Sequence, residues 1–234
     1  MIRVILILFV MTILLIIPGL IVIIVDIFDR KGWFHSVMMR MWARAILKTG
    51  GIRVEIKGLE KIDRTKSYVI VSNHESALDI LVIAAYIPLN FRFLAKKELF
   101  RIPLLGWILM SGRHISIDRE NPRKSVDEIN KKVGKMFKKG VSTIVFPEGT
   151  RSVTGELLPF KKGAFVLSYK FGVPILPIAL IGTGKITPKR KIDIKPGKVV
   201  IRVLEPRCVK SEEEIESVKE EIRREIEQNK KLII

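Results

Sequence analysis

Between Ser67 and Tyr86 the hydrophobic pattern changes period, and this change fixes the kind of fold the chain can adopt. Ser67-Tyr68-Val69-Ile70-Val71 is short, apolar and β-branched, as a buried strand requires. Leu78 through Tyr86 is apolar without strict alternation and reads as a helix. Ser72, Asn73 and Ser76 lie between them, and all three residue types cap helices well. His74 therefore belongs where a strand end hands over to a helix start. Asp79 comes about one and a half helical turns further on, near enough for the chain to bring its carboxylate back to the imidazole. A carboxylate beside a histidine fixes the tautomer and leaves the other ring nitrogen as a general base. Alternatively, His74 is a turn residue and Asp79 a cap.

Strand-like and helix-like segments alternate from Gly50-Gly51 onwards. Ile52–Lys57, Phe91–Ala95, His114–Ile117, Val141–Phe146, Val173–Leu180 and Lys198–Leu204 read as further strands. Pro174 and Pro177 argue for an irregular start or an edge position for the Val173–Leu180 strand. Lys124–Lys139 reads as a basic helix with Val126, Ile129, Val133, Met136 and Phe137 as its buried stripe, and Ala164–Phe171 as an apolar one. Ser211-Glu212-Glu213-Glu214 is a capping box opening a final helix, with Glu220–Arg224 and Glu227–Lys231 as i,i+4 pairs. The expected architecture is α/β, a mixed central sheet flanked by helices over residues 51–234, preceded by a membrane anchor over residues 1–50.

The anchor reading rests on two stretches. Val4 to Val25 is apolar except at Thr12, Pro18 and Gly19, and as one helix it would reach roughly 33 Å, about a hydrocarbon core. Asp26 comes directly after it and no Ala-x-Ala-like site does, which argues against a cleaved signal. Pro18-Gly19 leaves open a kink or a re-entrant path. Trp33, Phe34, Val37, Met38, Met41, Trp42, Ala45 and Ile46 then recur at helical spacing, with Arg40, Arg44 and Lys48 on another face. This is a basic amphipathic helix suited to a membrane surface, and its cations place the chain beyond it on the cytoplasmic side. His35 reads as an interfacial side chain and His114 as structural.

A formal net charge of +18 alongside 48% apolar residues points to anionic partners at a lipid boundary. Nucleic acid suits the charge but is disfavoured by 7% aromatic residues and no visible RNA-binding signature. A single cysteine, Cys208, forms no internal disulfide and fits a reducing compartment. No metal-ligand cluster is visible.

Two further stretches carry chemistry. Lys96 stands at a strand end beside the apolar Leu99–Trp107 segment, where Pro103 can start a helix and Gly106 permits close packing. Pro147-Glu148-Gly149-Thr150-Arg151-Ser152 comes directly after a strand. There Gly149 admits unusual backbone angles, the turn's N–H groups can form an anion nest, and Arg151 offers planar recognition of phosphate. A solvated lysine and a plain hairpin turn are the corresponding alternatives.

Taken together, four blocks resemble the glycerolipid acyltransferase family, specifically 1-acyl-glycerol-3-phosphate acyltransferases. They are Asn73-His74 with Asp79; Lys96, Leu99, Pro103 and Gly106; Phe146 through Ser152; and Val173-Pro174-Ile175-Leu176-Pro177. Phe160-Lys161-Lys162-Gly163 and Ile117-Asp118-Arg119 also fit, and the likeness covers about residues 50–205. The resemblance implies an N-terminal two-helix motif embedded in one leaflet at the cytoplasmic face of the cell membrane. It implies acylation of the 2-hydroxyl of lysophosphatidate, giving phosphatidate, from an acyl-carrier-protein or coenzyme A thioester, with no other cofactor and no metal. His74 would be the base, oriented by Asp79. Lys96 and Arg151 would hold phosphate, with Gly149 and Thr150 in the same turn, Glu148 would contact the glycerol part, and Asn73 and Arg119 would support the site. The oxyanion would be met by the helix start after His74 or by the turn at Gly149. Other acceptors, lyso-ornithine lipid or glycerol 3-phosphate, stay open. A silent membrane adaptor is disfavoured by the intact His74 and Asp79, and a serine hydrolase by the absence of a Gly-x-Ser-x-Gly elbow.

Overall fold

Each strand expected from the changes of period forms, because apolar β-branched runs bounded by polar or glycine-containing turns leave few other ways to bury both faces. The computed structural model describes residues 16, 19–29, 31–118, 126–187 and 195–232. Most of the apolar Val4–Val25 stretch, and Arg119, lie outside the described residues. The chain divides into two compact units, one of Met1–Gly50 with Leu81–Thr143, the other of Gly51–Ile80 with Ile144–Ile234.

The second unit is built on strands β1 (Ile52–Lys57), β2 (Val69–Ser72), β6 (Ile175–Ile181) and β7 (Gly197–Val203), ordered β1-β7-β6-β2. β1 runs parallel to β7, β7 antiparallel to β6, and β6 parallel to β2, so the sheet is mixed. Helices α5 (Gly163–Phe171) and α7 (Glu214–Lys231) pack on it, with the short α6 (Thr183–Ile186) after β6. β2 is wholly buried, as its apolar run requires. β6 corrects the edge reading: it is paired on both sides. Its prolines are tolerated because they act as acceptors. Pro174 O takes the Val69 N–H, Pro177 O takes the Leu204 N–H, and the ladder to β7 begins only at Ile178. α7 buries Ile215, Ile222 and Ile226. Its capping box does not form. Instead a Glu214 carboxylate oxygen accepts from the Lys210 N–H at 2.9 Å. Glu227 pairs with Lys231 as the spacing predicts, whereas Glu220 meets Arg223 and Lys219 in place of Arg224.

The first unit holds α1 (Trp33–Thr49), the parallel pair β3 (Phe91–Lys96) and β4 (Ile115–Ile117), α3 (Leu105–Ser111) and α4 (Val126–Phe137). Two elements cross the division, helix α2 (Leu78–Tyr86) and strand β5 (Ser142–Val145). α3 starts at Leu105 and not at Pro103, since Leu104 between them takes φ 62°, a conformation α-helices exclude. Gly106 packs as its sequence position suggests, for a Cβ there would lie 2.2 Å from Phe100 O. In α4 Val133 is fully buried, while Val126 at the first turn is exposed.

α1 departs from the simple amphipathic reading. It buries His35, Ser36, Ala43, Ile46 and Leu47 and leaves Trp33, Val37 and Met41, one i,i+4 stripe, exposed. Two of its cations turn inward. Arg44 Nε donates to Ala85 O at 2.9 Å and Arg40 to Ile87 O at 3.2 Å, closing orphan carbonyls at the end of α2.

His35 is likewise buried, not interfacial. The Phe93 N–H donates to His114 Nδ1 at 3.0 Å, so the proton of a neutral His114 sits on Nε2 and points to His35 Nε2 at 3.1 Å. His35 Nδ1 then donates to Asp26 Oδ2 at 2.9 Å. Burial, then His35 and Arg92, hold the His114 imidazole well below the ordinary 6.5. The folded chain thus binds fewer protons at this residue than the unfolded chain does. Its contribution to stability is complete above pH 6.5 and is lost as the pH falls below that value. Replacing His114 by Gln, which keeps an acceptor for Phe93, should reduce the acid-side slope of stability by on the order of 1 kcal/mol per pH unit. Urea midpoints at pH 7.5 and 5.5 check this, and an unchanged slope would assign the acid sensitivity to other groups.

Candidate active site

β2 ends at Ser72 and α2 begins at Leu78, so the five residues between them carry the site. Asn73 continues the sheet with its side chain: Oδ1 accepts from Leu180 N at 2.8 Å and Nδ2 donates to Leu180 O at 2.9 Å. This pins the end of β2 to β6 directly before His74. Ser76 caps the helix start, its Oγ accepting from Leu78 N.

His74 is held on every side. Its Nδ1 lies 2.8 Å from Asp79 Oδ2, and the same oxygen accepts the Glu75 and Ser76 N–H groups at 2.8 and 2.9 Å. A carboxylate only accepts, so Nδ1 carries a proton, and in the neutral ring Nε2 is the acceptor. The ring stacks on Phe146 at 4.1 Å and 18°. Its main chain is braced as well. Glu148 Oε1 accepts from His74 N at 2.6 Å, and His74 O accepts from Ser152 N at 2.8 Å.

The loop from Phe146 to Ser152 is thus tied to His74 at both ends. Glu148 is buried, its other oxygen accepts from Leu158 N at 2.9 Å, and desolvation pushes its carboxyl above the ordinary 4.5. Gly149 takes φ 73°, and a Cβ there would fall 2.9 Å from Lys161 Nζ. The positive φ disfavours any other residue, whereas the Lys161 side chain could move aside. Thr150 is exposed and Arg151 half-buried in the same turn. Lys96, at the end of β3, belongs to the other unit, where its Nζ lies 3.5 Å from Glu98 Oε1.

The structure therefore joins His74 to Asp79 and Glu148 by direct hydrogen bonds, places Asn73 just before them with its side chain bonded to Leu180, and puts Gly149, Thr150 and Arg151 in the loop tied to His74. Three participants escape a reading of the sequence. Phe146 and Lys161 stand inside the family-like blocks without an assigned role. Lys230 lies on α7, a helix whose sequence points to no chemistry. It pairs with Glu75, next to His74, and donates to Gly155 O at 2.7 Å. The i,i+4 pattern of that helix gives no sign of it.

In chemical terms, this is an oriented imidazole base beside a cation-bearing glycine turn. An Acyltransferase family model matches residues 53–181, which include His74, Asp79 and the Phe146–Ser152 loop but not Lys230. The chain is 40% identical over 168 residues to a chloroplastic 1-acyl-sn-glycerol-3-phosphate acyltransferase of Brassica napus, covering 71% of this chain and 47% of that protein. It is 35% identical over 158 residues to the Saccharomyces cerevisiae enzyme of the same name, covering 67% and 52%. The chain thus spans about half the length of these relatives. The crystal structure of the LPA acyltransferase PlsC from Thermotoga maritima superposes with a TM-score of 0.78 at 26% identity, covering 97% of this chain and 95% of that one.

Proposed function

Because the chain belongs to the acyltransferase family, we propose that it moves a fatty acyl chain from a thioester to the 2-hydroxyl of lysophosphatidate, giving phosphatidate. The observation that carries this reading is the 2.8 Å bond from His74 to Asp79, which leaves Nε2 as a base beside a turn bearing Arg151. An alcohol is a weak nucleophile near neutral pH and needs its proton removed as it attacks. His74 takes that proton and Asp79 stabilises the imidazolium. The oxyanion collapses, the thiolate leaves, and the imidazolium returns its proton to it. The thioester is already activated, so no acyl-enzyme is needed. The helix-start N–H groups of Glu75 and Ser76 are engaged by Asp79, and the Gly149 N–H by Phe146 O, so none of these three is assigned to the oxyanion.

Arg151 is assigned to the acceptor's phosphate, with Gly149, Thr150 and Lys161 at the same turn, and Lys96 in the first unit keeps its phosphate-binding role as a separate proposal. Glu148 accepts from two backbone N–H groups, which favours positioning of His74 over a direct glycerol contact. Arg119 keeps its supporting role as a proposal. The donor is an acyl-carrier-protein or coenzyme A thioester. Arg151→Ala should raise the acceptor KM at least about tenfold, the size of a lost charge-assisted hydrogen bond, with a smaller effect on kcat. An unchanged KM would take Arg151 out of the site.

Residues 1–50 are assigned to a membrane anchor at the cytoplasmic face, with 51–234 as the acyltransferase domain. Among the described residues no helix is long and apolar enough to cross a membrane. Exposed Ile24, Ile27, Phe28, Trp33, Met41 and Trp107, all in the first unit, support a lipid-facing surface. The test is purified protein offered lysophosphatidate, glycerol 3-phosphate or lyso-ornithine lipid, each with both thioester types. Phosphatidate should be the dominant product, and faster acylation of either other acceptor would overturn the assignment.

A further inference from the structure

A cavity of about 550 Å³ lies within the first unit, and none of its described wall residues is bonded to His74. Six of its thirteen described wall residues are cations, against 42 Lys and Arg among 234 residues in the chain, so its charge exceeds the general basic bias. They are Lys31, Arg92, Arg113, Lys132, Lys135 and Lys139, and no carboxylate stands among the described wall residues. Lys132 and Lys135 lie one turn apart on α4 and so share one helix face, and Lys139 follows two residues after the helix ends. Among the described residues Lys31, Lys135 and Lys139 form no ion pair.

Arg92 adds a buried charge to this wall. Its end nitrogens bind Phe91 O, Gly32 O, Lys31 O, Asn90 and Ser36, all uncharged acceptors. Burial presses its pKa down to about 10, with Asp26 and Asp29 partly offsetting this and Arg113 adding to it. A buried cation without a direct counter-charge is costly, and an anion in the adjoining space offsets that cost. Phosphate suits the donors, because arginine and lysine both bind its oxygens through charge-assisted bonds. Orthophosphate alone would fill little of the volume. The rest of the wall is mostly apolar, with Phe100, Met110 and Met136 among it.

We propose that this cavity is a second anion site, which takes a phosphorylated molecule carrying an apolar or aromatic part. The phosphate meets Lys31, Lys135 and Lys139, and the remainder lies on the apolar wall. Such chemistry is supplied by a soluble phosphorylated nucleotide or by an anionic lipid headgroup, and the test separates the two.

Full-length protein in detergent carries either Lys135→Glu with Lys139→Glu, or the control pair Lys66→Glu with Lys210→Glu, which changes net charge equally from exposed positions in the other unit. One arm measures adenosine 3′,5′-bisphosphate binding by equilibrium dialysis. The other measures flotation with phosphatidylcholine vesicles, with and without phosphatidylglycerol. The cavity pair should weaken binding at least tenfold in one arm while the control does not. Loss in the dialysis arm identifies a soluble nucleotide, and loss in the flotation arm a headgroup. The milder pair Lys135→Gln with Lys139→Gln should shift the same arm in the same direction, which guards against a folding defect. His74→Ala should bind as wild type, so failure of the catalytic reading stays distinguishable. No loss in either arm, or equal loss in the control, would overturn the site.

Discussion

His74→Ala should lower turnover of lysophosphatidate by roughly 10²–10⁴-fold while leaving its affinity nearly unchanged. The variant removes Nε2, the atom proposed to take the hydroxyl proton, and leaves the Gly149 turn and Arg151 in place. The main-chain ties to Glu148 and Ser152 do not need the imidazole. The Phe146 face loses its stacking partner, and Asp79 Oδ2 keeps the Glu75 and Ser76 N–H groups. A stability loss of about 1–3 kcal/mol is therefore expected, short of unfolding. Steady-state kinetics with thermal melting separates the two effects. Turnover within threefold of wild type would remove His74 from the chemistry.

Asp79→Asn should slow the reaction by about 10–100-fold and move the acceptor KM little. The reason lies in the three donors that converge on Oδ2. Only an acceptor fits there, so the amide oxygen of asparagine takes that place and the ring keeps its orientation and tautomer. The negative charge is lost, and with it the stabilisation of the imidazolium formed during attack. The fall should accordingly be smaller than for His74→Ala. Asp79→Ala, which frees two N–H groups at the helix start as well, should also lose stability. Wild-type turnover in the asparagine variant would contradict the electrostatic role.

Where one short segment carries both period and punctuation, the sequence is readable. The apolar run before Ser72 and the helix from Leu78 fall where the periodicity puts them, and the short span between them leaves His74 within reach of Asp79. Gly149 and Gly106 can be read because close approach and positive φ admit little else. Features settled by distant partners are not readable. Pro174 and Pro177 look like edge residues because their missing N–H groups are visible in sequence, whereas the carbonyls that serve β2 and the chain after β7 are not. Arg40 and Arg44 look like membrane-surface cations because their helical phase is visible, while the carbonyls of Ala85 and Ile87 are remote in sequence. Glu148 resembles a substrate contact in sequence, yet it braces backbone N–H groups 74 and 10 residues away. Lys230 reaches its partner across more than 150 residues, and no local pattern encodes that.

Positive charge is found both beside the site and on the cavity wall. Arg151 sits in the turn tied to His74, and the six cations of the cavity wall lie in the other unit. A chain with net charge +18 tolerates this self-repulsion best beside anionic lipid or phosphate, which fits the proposed substrate.

Rapid quench with labelled acyl thioester tests most directly whether His74 acts as a base on the hydroxyl. Wild-type protein mixed with donor and lysophosphatidate should pass the label straight to phosphatidate, with none left on the chain after denaturation. Label bound to His74, Ser72 or Ser76 and discharged at the rate of turnover would show a covalent acyl-enzyme, and would contradict direct transfer.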